Sequence, residues 1–457
     1  MEVRKLMNRI APDKLSLGFL DYILFNPWFD KDDEERIICS AEILHALDKT
    51  SHLIKNHRSE VGARLEHFQA VLAPDVLLKI HPGHSVQRRA TTVTAEFGAN
   101  VLRIRELHQE HIRSGQPTVD VLTGRAITQR QRQALRNEYR ELGAQAVAEA
   151  REIRHPLADE LDYLNSQPPN YFSRLETNFP EVERRIRQLP PKSMETNFRI
   201  LQRLRIHPQP LYKAALGSPR LYTIGFGLQN MSKSVRAVLM PDCVSLDLEA
   251  AQFAVVAAVW GIPSIQEALQ TGSAWEVIMG EIHSHFPHIK KSQVKSVLYP
   301  LIFGMPKHSL AQRIQHETRI TAEEFFNASV TMQTLLSARE TRMDLIRKNG
   351  GIVDATGRTH SLQERQERED TRQDRAIRSL LAYEAQSYEV ELMRPLLNFI
   401  RENARYLKLN LFIHDGVYVQ FTAEADEQRR ERLLVSMQNA VQSAAQKLGV
   451  VTRLTQE

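Results

Sequence analysis

Residues 291–311 read KSQVKSVLYPLIFGMPKHSLA, and this stretch decides how the rest of the chain is interpreted. On a helix, side chains that recur every four residues form one face. Here that face carries, in order, Lys291, Lys295, Tyr299 and Phe303. Two ammonium groups a turn apart can meet successive phosphates of a triphosphate, and rings further along can stack on sugar and base. The alternative interpretation is a solvated edge above an apolar core face.

The composition of the 457 residues describes a globular protein, with 25% charged and 42% hydrophobic residues. A chain of this length can hold two or three domains. Lysine and arginine exceed aspartate and glutamate by only five, which is a mild indication of a polyanionic partner. The two cysteines, Cys39 and Cys243, are too few for a disulfide framework and favour a reducing compartment. We therefore expect a cytoplasmic protein.

No leader or membrane span is expected from the sequence. The N-terminal stretch MEVRKLMNRIAPDKLS lacks a long apolar core followed by small residues. No run of about 18 apolar residues, the length that spans a bilayer, occurs in the chain.

Residues 15–164 are predicted to be helical, because apolar residues recur at intervals of three and four. One example of this spacing is the set Ile37, Ile38, Ala41, Leu44 and Leu47. A long helix is predicted to begin after Thr128 as its cap. Its first turns carry Arg130, Arg132, Arg136 and Arg140. These arginines can follow a phosphate backbone, but interleaved acids are equally compatible with a solvated face, and the sequence leaves both open.

Residues 243–257, CVSLDLEAAQFAVVA, predict a strand that leads directly into a helix. Asp247 stands at the end of the apolar strand, beside an accessible backbone. Magnesium ions keep several waters and bind through one or two carboxylates plus substrate phosphates, so such a site needs few protein ligands. The alternative is that Asp247 only caps the helix.

Residues 407–421, LKLNLFIHDGVYVQF, alternate between apolar and polar residues on both sides of His414, Asp415 and Gly416. This pattern predicts a β-hairpin with its turn at these three residues. Asp-Gly is a common turn dipeptide, so for Asp415 taken alone a structural role in the turn is favoured.

Six segments between about residues 215 and 457 resemble family A DNA polymerases, the bacterial polymerase I type, in order and internal spacing. Residues 291–311 resemble the nucleotide-binding helix of the fingers, and residues 243–257 contain a resemblance to motif A, D-Y-S-Q-I-E-L-R. The 407–421 hairpin resembles motif C. RLYTIGFGLQN, residues 220–230, matches R-L-S-S-x-x-P-N-L-Q-N at its first two and last three positions. Two further matches are Gly357-Arg358 and the pair Arg378 and Gln386, eight residues apart.

This resemblance implies an α+β fold of the right-hand polymerase type, with an antiparallel-sheet palm and helical fingers inserted in it. Residues 1–190 would form a mostly helical N-terminal region that includes a thumb. Residues 191–261 and 379–457 would form the two parts of the palm. Residues 262–378 would form the fingers, with the nucleotide-binding helix at 291–304.

The resemblance also implies site residues. Asp247, Asp415 and the Leu248 carbonyl would bind two Mg²⁺ ions, for which Mn²⁺ is a possible substitute. The nucleotide-binding set would be Lys291, Lys295, Tyr299, Phe303 and Gln252, with Lys295 also donating a proton as pyrophosphate leaves. The primer-template set would be Arg220, Gln229, Asn230, Gly304, Arg378, Gln386 and His414. Gln252 stands where the family has Glu, and its bulk at the sugar 2′ position favours deoxynucleotides.

The implied reaction is template-directed transfer of nucleotides from dNTPs to a primer 3′-hydroxyl. Before the six segments, the sequence contains no pair of carboxylates that suits a 3′-to-5′ proofreading nuclease. We therefore expect no proofreading activity. Pro300 stands where the family commonly has Gly, which predicts a bent or broken helix. Gly416 stands where the family usually has Glu, so one accessory carboxylate is missing. Two alternatives remain: a single-subunit-type RNA-synthesising polymerase, and an inactive scaffold that binds primer-template.

Overall fold

The computed structural model describes residues 6–7, 9–11, 13, 16, 19–20, 37–38, 58–81, 92–113, 128–215, 217–225, 227–272, 274–369 and 371–456. The chain divides into two compact units. The first unit contains residues 1–137 and 180–206, and the second contains residues 138–179 and 207–457. The helical spacing that continues through Ala41, Leu44 and Leu47 lies outside the described residues.

The first unit contains a three-stranded antiparallel sheet in the order β1-β3-β2. Its elements are β1 (Ile37–Ile38), α1 (Arg58–Leu72), β2 (Val76–His81), β3 (Thr92–Phe97) and α2 (Ala99–Arg113). The prediction of helices throughout this region is therefore wrong for the three strands. Short apolar runs such as that at Val76 fit a strand or a helix equally by periodicity. Pairing with a distant strand decides between them, and Val76 and Val93 are fully buried.

Residues 129–206 fold into a series of helices. They are α3 (Gln129–Glu152), α4 (Ala158–Asn165), a 3₁₀ helix (Pro169–Asn178), α5 (Phe179–Ile186) and α6 (Pro191–Ile206). The predicted cap of α3 is confirmed, because the Gln131 amide donates to Thr128 Oγ1 at 3.2 Å.

The remainder of the second unit begins with a hairpin and then mixes helices with short antiparallel strands. Its elements up to residue 302 are β4 (Tyr212–Ala215), β5 (Ser218–Thr223), a 3₁₀ turn (Leu228–Asn230), α7 (Lys233–Leu239), β6 (Cys243–Leu248), α8 (Ala251–Val259), α9 (Pro263–Thr271), α10 (Ala274–His283) and α11 (Lys291–Ile302). The following elements are α12 (Lys307–Thr318), α13 (Ala322–Asn327), α14 (Val330–Asn349), β7 (Gly351–Val353), β8 (Thr359–Ser361), α15 (Leu362–Glu369), α16 (Gln373–Glu402), β9 (Leu407–Ile413), β10 (Gly416–Phe421), α17 (Glu427–Leu448) and β11 (Leu454–Gln456).

The four-stranded sheet of the second unit has the order β11-β6-β10-β9 and is antiparallel throughout. Buried apolar side chains of the strands join those of α8, α11, α16 and α17 in one core. The predicted strand-to-helix segment, the hairpin and the helix that ends at Leu448 are all confirmed. The predicted last strand at 450–454 is wrong by several residues, because the Val450 amide still bonds to the Ala445 carbonyl at the helix end.

The prediction was a bent or broken helix at Pro300; α11 is not broken there and continues to Ile302. Proline has no amide hydrogen, so the carbonyl four residues earlier, that of Ser296, loses its helical donor. Arg313 of α12 replaces that donor, because its Nε lies 2.6 Å from the Ser296 carbonyl oxygen. None of the helices in the described part of the chain is long and apolar enough to cross a membrane.

Candidate functional site

The two aspartates predicted to act together lie at the same edge of the four-stranded sheet. Strands β6 and β10 pair so that Asp247 is opposite Gly416, the residue that follows Asp415. The Leu248 amide donates to the Asp415 carbonyl at 2.8 Å, which fixes the hairpin turn against the end of β6. Helix α8 begins after Ala250, whose φ is +51°, so Asp247 is not the residue that caps it. The alternative interpretation of Asp247 as a helix cap is therefore wrong.

Gly416 provides the space in which the Asp247 carboxylate lies. A Cβ atom at this position would be 2.6 Å from the Leu246 carbonyl oxygen and 2.7 Å from Asp247 Oδ1. Both distances are shorter than real Cβ contacts, so any side chain here would displace the backbone or the carboxylate. The glycine at this position is thus tied to the close approach of the two strands.

The lysine-bearing helix α11 lies near the aspartate pair. Burial raises the pKa of the Tyr299 hydroxyl, and the negative charges of Asp415, Asp247 and Glu389 raise it further. The phenol therefore lies within electrostatic range of these carboxylates. The helix predicted to bind a nucleotide therefore brings a tyrosine to the edge that carries both aspartates.

Lys291 and Lys295 converge on one ring that the sequence analysis did not single out. Their Nζ atoms lie 5.3 Å and 5.2 Å from the centre of the Trp275 ring, which belongs to α10. Because the indole face attracts cations, one buried tryptophan holds both ammonium groups. The sequence spacing places the lysines on one face of α11, and the structure adds the tryptophan beneath them.

Glu389 is a second residue that the sequence analysis missed. Its carboxylate is fully buried and accepts two hydrogen bonds of 2.7 Å from the Arg220 guanidinium. It also accepts a hydrogen bond from Gln252 Nε2. Glu389 and Gln386 are three residues apart on α16 and share a face, but charged and polar residues are frequent in this part of the helix, so no local sequence signal marks Glu389.

The ion pair with Glu389 also fixes Arg220 against α11. The Arg220 guanidinium lies 5.8 Å from the centre of the Phe303 ring. Burial lowers the pKa of Arg220, but the charge of Glu389 and its hydrogen bonds outweigh burial and raise the pKa overall. One buried carboxylate therefore joins three residues predicted for nucleotide and primer-template binding, namely Arg220, Gln252 and, through Arg220, Phe303.

The amides of Gln229 and Asn230 are engaged within the protein. Gln229 Oε1 accepts from the Thr223 amide at 2.8 Å, and its Nε2 donates to the Phe412 carbonyl at 3.0 Å. Asn230 Oδ1 accepts from the Gly227 amide at 3.4 Å. The geometry of Gln229 ties the loop after β5 to β9, so in this arrangement its amide supports the sheet.

The other predicted primer-template residues lie around the same part of the sheet and α16. Gln386 Oε1 accepts from Ser218 Oγ at 2.8 Å. The Arg378 side chain packs against Gly304, whose φ of +77° and lack of a Cβ leave room for it. Burial and the charge of Arg220 lower the pKa of His414 to about 4, so its imidazole is neutral at neutral pH. His414 packs edge-on against Tyr222, with ring centres 4.9 Å apart.

The donor set at the sheet edge suits a hard divalent cation. Asp247 and Asp415 provide carboxylate oxygens, the ligands that Mg²⁺ prefers. In the described ranges, no group of three or more His, Cys, Asp or Glu side chains is arranged to hold a metal. Two carboxylates still fit Mg²⁺, because this ion takes its remaining ligands from water and substrate phosphates. The Leu248 amide is bonded to Asp415, and a role for its carbonyl stays a prediction.

Comparisons with known proteins find similarity among solved structures. No family model matches the chain, and no curated protein matches it. The chain is similar to the POL domain of Pol1 from M. smegmatis, solved in complex with DNA primer-template and dNTP. The TM-score is 0.44 and the sequence identity is 13%, over 100% of this chain and 80% of that chain.

Proposed function

We propose that this protein is a template-directed DNA polymerase that lacks proofreading. The observation that carries this proposal is the position of Asp247 and Asp415 on paired strands, with Tyr299 of the lysine-bearing helix close to both. Two carboxylates beside a cationic helix suit a reaction in which a triphosphate is bound and its α-phosphate is attacked. The order and spacing of the six sequence segments support the same reaction.

In this proposal the residues of α11 bind the incoming dNTP. Lys291 and Lys295 bind the triphosphate, and Lys295 donates a proton to the departing pyrophosphate. Tyr299 lies against the sugar, and Phe303 lies beside the templating base. Phenylalanine keeps the ring that the family places there and lacks its hydroxyl.

Asp247 and Asp415, with the Leu248 carbonyl, would hold Mg²⁺ or its substitute Mn²⁺. When bound, two such ions activate the primer 3′-hydroxyl and stabilise charge that develops on the phosphate. Arg220, Arg378, Gln386 and His414 would contact the primer-template, with Gly304 making room beside them. Gln229 and Asn230 would do so only if their present hydrogen bonds to the protein backbone were exchanged.

Two features that favoured an inactive scaffold have local structural explanations. Pro300 is accommodated because Arg313 satisfies the Ser296 carbonyl. Gly416 is required by the contact between β6 and β10. Both residues are therefore compatible with an enzyme.

Preference for deoxynucleotides is assigned to Gln252. This side chain is only 5% exposed, and Glu389 holds its Nε2. A fixed side chain at the sugar 2′ position would exclude a hydroxyl there. The Gln252→Gly variant should therefore incorporate ribonucleotides more readily than the wild type, as measured by extension with rNTPs in place of dNTPs.

The decisive experiment is extension of a labelled primer-template with Mg²⁺ and dNTPs by the wild type, Asp247→Asn and Asp415→Asn. Each substitution should lower the rate by roughly a thousandfold, because metal binding contributes several kcal/mol to such reactions. Both variants should still bind primer-template, since neither substitution adds bulk or removes a positive charge.

Asp242→Asn, at an exposed position just before β6, is the matched control and should keep wild-type activity. Extension with rNTPs alone would favour the RNA-synthesising alternative. If the wild type binds primer-template but does not extend it, the result would favour the alternative of an inactive scaffold.

A further inference from the structure

Trp275 is a core residue that also contacts two charged groups. Its side chain is 7% exposed and stacks on Phe253, with ring centres 6.3 Å apart. The same ring lies 5.3 Å from Lys291 Nζ and 5.2 Å from Lys295 Nζ. Packing in the core does not by itself require that two ammonium groups lie over the same ring.

The pair of lysines needs such a partner. Like charges one helical turn apart repel each other. In the part of the chain that the structure describes, no carboxylate lies within the 4.0 Å of an ion pair to either lysine. Indole provides the strongest attraction to cations among aromatic side chains. Trp275 thus holds the ammonium groups of Lys291 and Lys295 close together without neutralising their charge.

We propose that Trp275 is a positioning residue that holds Lys291 and Lys295 together as a binding site for an oligophosphate. Two adjacent, unneutralised ammonium groups can each bind phosphate oxygens of the same chain. A dNTP is the oligophosphate ligand if the proposed polymerase function is correct. The binding site itself requires only the lysines and the ring.

The first test measures binding of inorganic tripolyphosphate, without divalent metal, to the full-length protein by calorimetry. Trp275→Leu should weaken binding by about tenfold, within the range that two cation–ring contacts allow. Trp275→Phe should recover part of the affinity, because it keeps a smaller aromatic face. Unchanged affinity in a folded Trp275→Leu protein would overturn the proposal.

Ile278→Ala is the matched control on α10. Ile278 is fully buried in the same core, so its truncation should lower the unfolding temperature and leave tripolyphosphate binding intact. An equal loss of binding in this variant would mean that Trp275 acts only through packing, which contradicts the proposal.

A second test does not need the leucine variant to fold. In Trp28→Phe/Trp260→Phe protein, Trp275 is the remaining tryptophan. Tripolyphosphate should change its fluorescence, because bound phosphate alters the charge beside the ring, and Lys291→Ala/Lys295→Ala should abolish that change. No change on binding would contradict the proposal. Since neither test involves DNA, failure of primer extension would overturn the polymerase function and leave these results intact.

Discussion

Gly416 is the residue whose replacement tests the carboxylate pair most directly. A methyl group here would meet the Leu246 carbonyl and Asp247 Oδ1 at under 3 Å. We expect Gly416→Ala to lower primer extension by about a hundredfold, because displacement of a reacting group by about 1 Å has such an effect. The loss of stability should be only about 1–3 kcal/mol, as for other overpacked sites. Extension rates and urea unfolding of the same protein samples measure both effects.

Gly280→Ala is the control for that prediction. Gly280 lies in α10, and a Cβ atom at this position would meet no other atom within 4 Å. Alanine should therefore keep activity and raise stability slightly, because it favours a helix more than glycine does. Wild-type activity in Gly416→Ala would mean that the Asp247 position is not needed for the reaction.

For single residues, the contacts that each side chain makes explain which roles the sequence could predict and which it could not. Asp247, Asp415 and the two lysines carry a local pattern, namely strand ends and a four-residue helical repeat. Glu389 and Trp275 have no such pattern, because their partners are far away in the chain. Glu389 bonds to Arg220, 169 residues earlier, and only the packing of α16 against β5 brings them together. Their roles depend on tertiary contacts that periodicity does not contain.

At the scale of elements, α11 and α12 depend on each other through the Ser296 carbonyl. Pro300 cannot donate to it, and Arg313 does so instead at 2.6 Å. We expect Arg313→Met to cost about 1 kcal/mol, the usual contribution of a partly buried hydrogen bond. In a Pro300→Ala background the restored amide should supply the bond, so Arg313→Met should cost clearly less. Thermal unfolding of the four proteins of this cycle measures the difference.

Equal costs of Arg313→Met in the two backgrounds would contradict this account of α11. The same contact explains why α11 is continuous, although a bent or broken helix was predicted. The rule that proline breaks a helix applies where nothing replaces the lost hydrogen bond, whereas here a side chain from the next helix replaces the missing donor.

The β9–β10 hairpin was predicted correctly because its alternation and turn are local. The strands β2 and β3 were missed because their apolar runs are short.

At the scale of the whole molecule, the second unit is built from two separate segments of the chain. Residues 138–179 join residues 207–457, although residues 180–206 belong to the first unit. Asn165 at the end of α4 bonds to both the amide and the carbonyl of Tyr212 in β4, at 2.7 Å and 2.9 Å. Leu157, Leu161 and Leu164 are buried in the same core as the four-stranded sheet. The segment before residue 180 is therefore part of the unit that carries the aspartates.

A fragment of residues 207–457 should consequently be much less stable than a fragment of residues 138–457. It lacks three buried leucines, each of which contributes about 1.5–3 kcal/mol by burial, and both hydrogen bonds from Asn165. We expect a lower unfolding temperature and faster proteolysis for the shorter fragment, measured by calorimetry and by limited digestion. In the full-length chain, Asn165→Ala should cost about 1–3 kcal/mol, because the Tyr212 backbone loses its partners. Equal unfolding temperatures of the two fragments would show that residues 207–457 form their own stable core, and the aspartate pair would then be independent of α4.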